Sequence, residues 1–149
     1  MRSVKVKPFT FVVAALAFVA IVLMVLMGAY YIRLAFDESH YHEKGSIAYT
    51  LFQNDEIKNM PTPGIVGEAT FFTGAGDGMK SPSQAIIFRS SNKKKNLRKS
   101  IGNHLLGLGY RKIEEDFFKR GKIEYSIRFS ATDKDALLKA RVTRIDGRY

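Results

Sequence analysis

The chain has 149 residues, of which 24 are Lys or Arg and 14 are Asp or Glu, giving a formal net charge of +10, and it contains no cysteine. That length allows one ordinary domain with an appendage. The missing cysteines exclude a disulfide framework and a cysteine nucleophile.

The appendage comes first. Phe9–Ile32 reads FTFVVAALAFVAIVLMVLMGAYYI, 24 residues with no charge. About 20 apolar residues at a rise of 1.5 Å cross a bilayer core of roughly 30 Å, so this stretch is long enough to span. Pro8 precedes it, where a missing N–H matters least, and Tyr30, Tyr31 and Arg33 close the far end as an interfacial belt would. A cleaved signal peptide has a shorter apolar region of about 7–15 residues ending in a small-x-small site. Here the nearest such site is Met27-Gly28-Ala29, with a bulky Met at its first position, so an uncleaved signal anchor is expected. Arg2, Lys5 and Lys7 precede the span, whereas Arg33 and Lys44 behind it are mixed with Asp37, Glu38 and Glu43. The positive-inside rule then places residues 1–8 in the cytoplasm as a short tail. Phe9–Ile32 is expected to cross the plasma (inner) membrane and residues 37–149 to lie outside the cytoplasm, as a single-pass protein with a periplasmic domain.

Residues 33–45, including DESHYHEKG, read as a polar juxtamembrane tether, and 46–149 as the folded domain. Ser46–Phe52 alternates Ile47, Tyr49 and Leu51, which predicts a half-buried strand. Pro61 and Pro63 mark a loop, and Ile65–Thr73 and Gln84–Arg89 read as strands. Between those two strands lies GAGDGMKS. Gly74, Lys80 and Ser81 have the spacing of a phosphate-binding loop, but Met79 replaces its second glycine and a strand follows where a helix is required. A hairpin turn at the far tip of the domain is expected instead.

From Asn92 to Leu108, Leu97, Ile101, Leu105 and Leu108 recur at helical spacing, with Ser90 or Ser91 as N-cap and Gly107 or Gly109 as the stop. Tyr110–Phe118 and Lys122–Ser130 predict two strands. In the second, Ile123, Tyr125, Ile127 and Phe129 face one way and Glu124, Ser126 and Arg128 the other. Leu138, Ala140 and Val142 alternate again, with a short helix over Asp133–Ala140 as the alternative. The sum is an α+β domain, βββ-α-βββ, with one helix on the apolar face of an antiparallel sheet.

The sequence offers few chemical sites. It has no G-x-S-x-G and no H-E-x-x-H motif. Glu114, Glu115 and Asp116 are consecutive, and neighbours on a strand point to opposite faces, so spacing does not make them an acid/base pair. The chain is therefore expected to be no enzyme and to need no cofactor. His40 and His42 share a strand face and are weak candidates for a metal, with the solvated tether as the simpler reading. His104 falls on the apolar stripe of the helix, as a hydrogen-bonded core residue would. Lys93, Lys94, Lys95, Arg98 and Lys99 place five cations in seven residues at the helix start, against the favourable direction of its dipole. Residues 37–149 hold 20 Lys and Arg against 14 Asp and Glu, so this cluster carries most of the excess. Lys95, Arg98 and Lys99 are expected to project to solvent, free of core carboxylates.

These features lead to two expectations. The first is an anchored domain that binds another membrane or envelope protein, as an accessory or assembly subunit. The second is a domain whose basic patch binds an anionic surface such as lipid head groups or acidic glycan. No aromatic residue interleaves with the lysines, which argues against single-stranded nucleic acid.

Overall fold

The structure, a computed structural model, describes residues 8–36, 40–74, 76, 80–132 and 137–147. Met1–Asp37 and Glu38–Tyr149 form two separate compact units.

The first unit contains one helix, α1 (Pro8–Phe36). Within it Val12–Arg33 covers 22 residues of mean hydropathy 2.9, none of it buried against protein, and is long and apolar enough to cross a membrane. At 1.5 Å per residue that span measures about 33 Å.

The second unit is α+β: a seven-stranded antiparallel sheet with helices on one face. Its elements in chain order are β1 (His40–Glu43), α2 (Ile47–Phe52), α3 (Asp55–Lys58), β2 (Thr70–Gly74), β3 (Ser83–Ser90), α4 (Lys94–Gly107), β4 (Arg111–Glu114), β5 (Phe117–Arg120), β6 (Ile123–Ala131) and β7 (Leu138–Asp146). The strand order is β1-β2-β3-β7-β6-β5-β4. The long strands β3, β7 and β6 lie at the centre, where Ile86 and Ile127 both oppose Val142. Leu97, Ile101 and Leu105 drive α4 onto these strands and are wholly buried, at about 1.5–3 kcal/mol each. Phe71, Ile86, Phe88, Phe118, Tyr125 and Val142 complete the core with Ile57 of α3.

Four expectations are corrected. Ser46–Phe52 is not a strand. Ser46 accepts a hydrogen bond from the Tyr49 amide as the N-cap of α2, and Ile47 and Leu51, one helical turn apart, are both exposed. Alternation over so few residues also satisfies a one-turn i, i+4 pattern. Residues 33–45 are not wholly a tether, because His40–Glu43 pair with Thr70–Thr73 as an edge strand and His42 is buried. Ile65–Thr73 shortens to β2 because Gly67 takes φ +78°, although Ile65 still bridges to Ser90. Tyr110–Phe118 is a hairpin rather than one strand, with Glu115 and Asp116 in the turn between β4 and β5.

β2 and β3 pair antiparallel, as a hairpin around GAGDG requires. Ala75, Asp77, Gly78 and Met79 lie outside the described residues. The expected tip turn therefore falls largely outside them. The alternative helix over Asp133–Ala140 falls partly outside the described residues, and from Leu138 the chain is strand.

Glu56 holds the two short helices to the sheet. Its Oε2 accepts hydrogen bonds from the hydroxyls of Tyr110 (2.6 Å) and Tyr125 (3.1 Å), and its Oε1 from Arg120 Nη2 (2.6 Å). Gln84 adds a second clamp, accepting from the Asn54 amide (2.8 Å) and donating to the Phe52 carbonyl (2.7 Å).

Candidate functional site

The α4 helix begins without the usual devices. Lys93 is its N-cap and makes no side-chain cap bond, and the first turn has no acidic residue. Ser90, expected as a cap, is buried instead, donating its hydroxyl to the Pro63 carbonyl (2.7 Å) and accepting from the Asn92 amide (3.0 Å). Three lysines therefore stand on the positive end of the helix dipole, which is locally unfavourable. Gly109, with φ +83°, ends the helix at the position expected for a stop.

The structure divides the five predicted cations. Arg98 is not free. Its Nε and Nη2 donate to the two carboxylate oxygens of Asp116 (2.6 and 2.7 Å), and its Nη1 pairs with Glu115. The fork geometry suits a bidentate pair, and the β4–β5 turn brings both carboxylates under the helix. Arg98 is expected to project to solvent without core carboxylates; its partners are instead the carboxylates of a turn that reads as strand in the sequence. Lys94 lies over the Phe129 ring at 5.6 Å, and the Arg98 guanidinium lies 5.7 Å from it. An aromatic does accompany the cations in space, though none does in sequence.

Lys93, Lys95 and Lys99 are exposed and have no carboxylate partner among the described residues. Lys95 and Lys99 line a groove of about 330 Å³ between α4 and the β4–β5 hairpin. Lys112 on β4 enters the same groove, and Phe118, Leu106 and Gly102 supply an apolar floor. The result is a cationic rim around an apolar base, with Glu115 already committed to Arg98. Lys112 has no signal in the local sequence, because only the pairing of β4 with β5 places it there, opposite Phe118.

The histidines are brought together, with ring centroids 5.9 Å apart. His42 is buried and hydrogen-bonds Thr73 Oγ1 through Nε2 at 3.2 Å. Burial lowers its pKa, and repulsion from His40 lowers it further. Among the described residues no third His, Cys, Asp or Glu joins them to hold a metal. His104 is half-buried, and its Nε2 is enclosed with no hydrogen-bond partner among the described residues.

The Glu56 cluster was not anticipated from the sequence. Burial works to raise the Glu56 carboxyl, but hydrogen bonds from Tyr110, Arg120 and Tyr125 outweigh it and hold the group below its ordinary range. Burial and the same carboxylate push Tyr110 up to about 12, and burial drives Tyr125 upward as well. Arg144 approaches Glu56 at 3.7 Å and pairs with Asp146, so two cations meet two carboxylates. This closed, neutral arrangement is a structural clasp.

No family model, curated protein or solved structure matches the chain.

Proposed function

We propose that this is a single-pass membrane-anchored protein whose α+β domain binds another membrane or envelope protein, as an accessory or assembly subunit of a complex. In this reading α1 is an uncleaved anchor with its N-terminus in the cytoplasm of a plasma (inner) membrane, and the domain is extracytoplasmic. The protein is a binding module rather than an enzyme. One observation carries the proposal: Lys95, Lys99 and Lys112 surround an apolar groove with no carboxylate partner among the described residues, whereas neighbouring Arg98 is fully engaged. A groove of that kind suits an acidic segment with an apolar side chain beside its carboxylates.

The exposed Lys93, Lys94 and Lys95 at the uncapped helix start favour a second reading, in which the patch meets anionic head groups or acidic glycan. Purification of the full chain from membranes in mild detergent separates the two. A stoichiometric protein partner that is lost from the Lys95→Gln/Lys99→Gln/Lys112→Gln variant supports the first. Retention on anionic vesicles, with no protein partner, supports the second.

A further inference from the structure

The helices α2, α3 and α4 all pack on one face of the sheet, through Ile57 and Glu56 from α3 and the leucine stripe of α4. The other face carries a second cationic cluster. Arg128 on β6 is the direct cross-strand partner of Arg141 on β7, and Arg89 on β3 is the direct partner of Lys139, two residues from Arg141. Like charges placed directly opposite one another destabilise a sheet. Nonetheless none of the four has a carboxylate partner among the described residues. The Arg141 guanidinium lies 4.9 Å over the Phe72 ring, and Tyr41 packs against the same ring at 5.2 Å. Beside them is a cavity of about 390 Å³, lined by Tyr41, Glu68, Thr70, Ile87, Arg89 and Lys139, so that two cations outnumber one carboxylate in its wall.

We propose that this open face is a second binding surface, for an acidic protein segment whose carboxylates meet Arg89, Arg128, Lys139 and Arg141. An apolar side chain of that segment enters the cavity against Ile87 and Tyr41. Charge complementarity selects the acidic partner, because a bound carboxylate relieves the two like-charge cross-strand pairs. A single-stranded nucleic acid needs a run of free aromatic faces for successive bases, whereas here Arg141 and Tyr41 cover Phe72 and leave Tyr41 as the exposed ring beside the cations. A planar array of head groups does not fill a concave site of side-chain size, whereas a peptide side chain does. The surface lies on the sheet face opposite α4, so it stands or falls apart from the lysine groove.

The test uses the full chain in a zwitterionic detergent and a fluorescent peptide alternating Glu and Val. Arg89→Gln/Lys139→Gln should weaken peptide binding about tenfold or more and raise the melting temperature, because a like-charge pair is removed. Lys95→Gln/Lys99→Gln removes only the share of binding that belongs to the α4 groove, so the Arg89→Gln/Lys139→Gln loss is read on that background as well. Lys122→Gln, exposed and on neither surface, is the unaffected control. A peptide in which Gln replaces Glu should not bind. Equal binding by the Arg89→Gln/Lys139→Gln variant overturns the inference. If only the Lys95→Gln/Lys99→Gln variant loses binding, this inference fails while the α4 groove stands. Tighter binding of a single-stranded oligonucleotide or of anionic vesicles than of the peptide, abolished by Arg89→Gln/Lys139→Gln, overturns the choice of partner.

Discussion

Glu56 and Tyr110 are 54 residues apart in the chain, and the Tyr110 hydroxyl donates to the Glu56 carboxylate at 2.6 Å. That one bond joins the four-residue helix α3 to the residue that immediately precedes β4. Tyr125 meets the Tyr110 ring edge-on, at 4.9 Å between centroids, and donates to the same carboxylate. A helix of four residues has no stability of its own, so its place in the fold depends on such ties. Glu56→Gln should destabilise the domain by about 2 kcal/mol, since it weakens several charge-assisted hydrogen bonds at once. Urea denaturation of the two proteins in the same detergent checks this.

The same group sets the behaviour in acid. The Glu56 carboxyl is held below its ordinary value of 4.5, so its contribution is fully present above that pH and is lost as pH falls through the lower folded value. The melting temperature of Glu56→Gln should therefore converge on that of the unmodified chain as pH drops below 4.5. A constant gap down to the lowest accessible pH contradicts the assignment.

His42 acts in a higher window. Its pKa is lowered from 6.5, so the unfolded chain binds the proton more readily than the folded one. Stability is thus complete above 6.5 and declines as pH falls below it. His42→Gln should flatten the pH dependence of the melting temperature between that value and the onset of carboxylate titration. An unaltered slope shows that other groups govern that range.

The start of α4 is built against its own stability. Lys93→Asp should stabilise the domain by about 1 kcal/mol, by supplying a cap acceptor and a charge of the sign the helix dipole favours. It should at the same time weaken partner binding. A gain in stability with undiminished binding assigns Lys93 to solubility alone.

Asp116→Asn should have the opposite sign on binding. It should cost about 1 kcal/mol of stability and release Arg98 toward the groove, so an acidic partner binds more tightly. A concurrent fall in binding means that the Arg98–Asp116 pair shapes the site rather than restraining it.

Much of the fold is legible in the sequence where a pattern is long. The leucine stripe of α4 persists over three turns, and KIEYSIRFS alternates over most of β6, so each period is distinct. Short or polar elements are not legible in this way. HYHE carries no apolar alternation and becomes a strand only because β2 offers it a free edge. The site divides along the same line. The lysine run is visible in the chain, whereas the capture of Arg98 depends on a turn and the entry of Lys112 depends on strand register. Arg89, Arg128, Lys139 and Arg141 each read as the polar side of a strand, and only the pairing of β3, β7 and β6 collects them.

The topology is open to a direct check. A reporter fused at Tyr149 that is active only outside the cytoplasm should be active, and the mature protein should retain residues 1–32. Activity of a cytoplasm-only reporter at that position, or a mature N-terminus near Tyr30, contradicts the anchor reading.

The measurement closest to the central claim is site-specific photo-crosslinking in intact membranes, with the probe at Lys99, at Lys112 and at exposed Leu51 as a control on a different helix. The account predicts one protein adduct, acidic in character, shared by the Lys99 and Lys112 probes and absent from the Leu51 probe. Adducts to lipid alone at Lys99 and Lys112, or the same adducts from all three positions, contradict it.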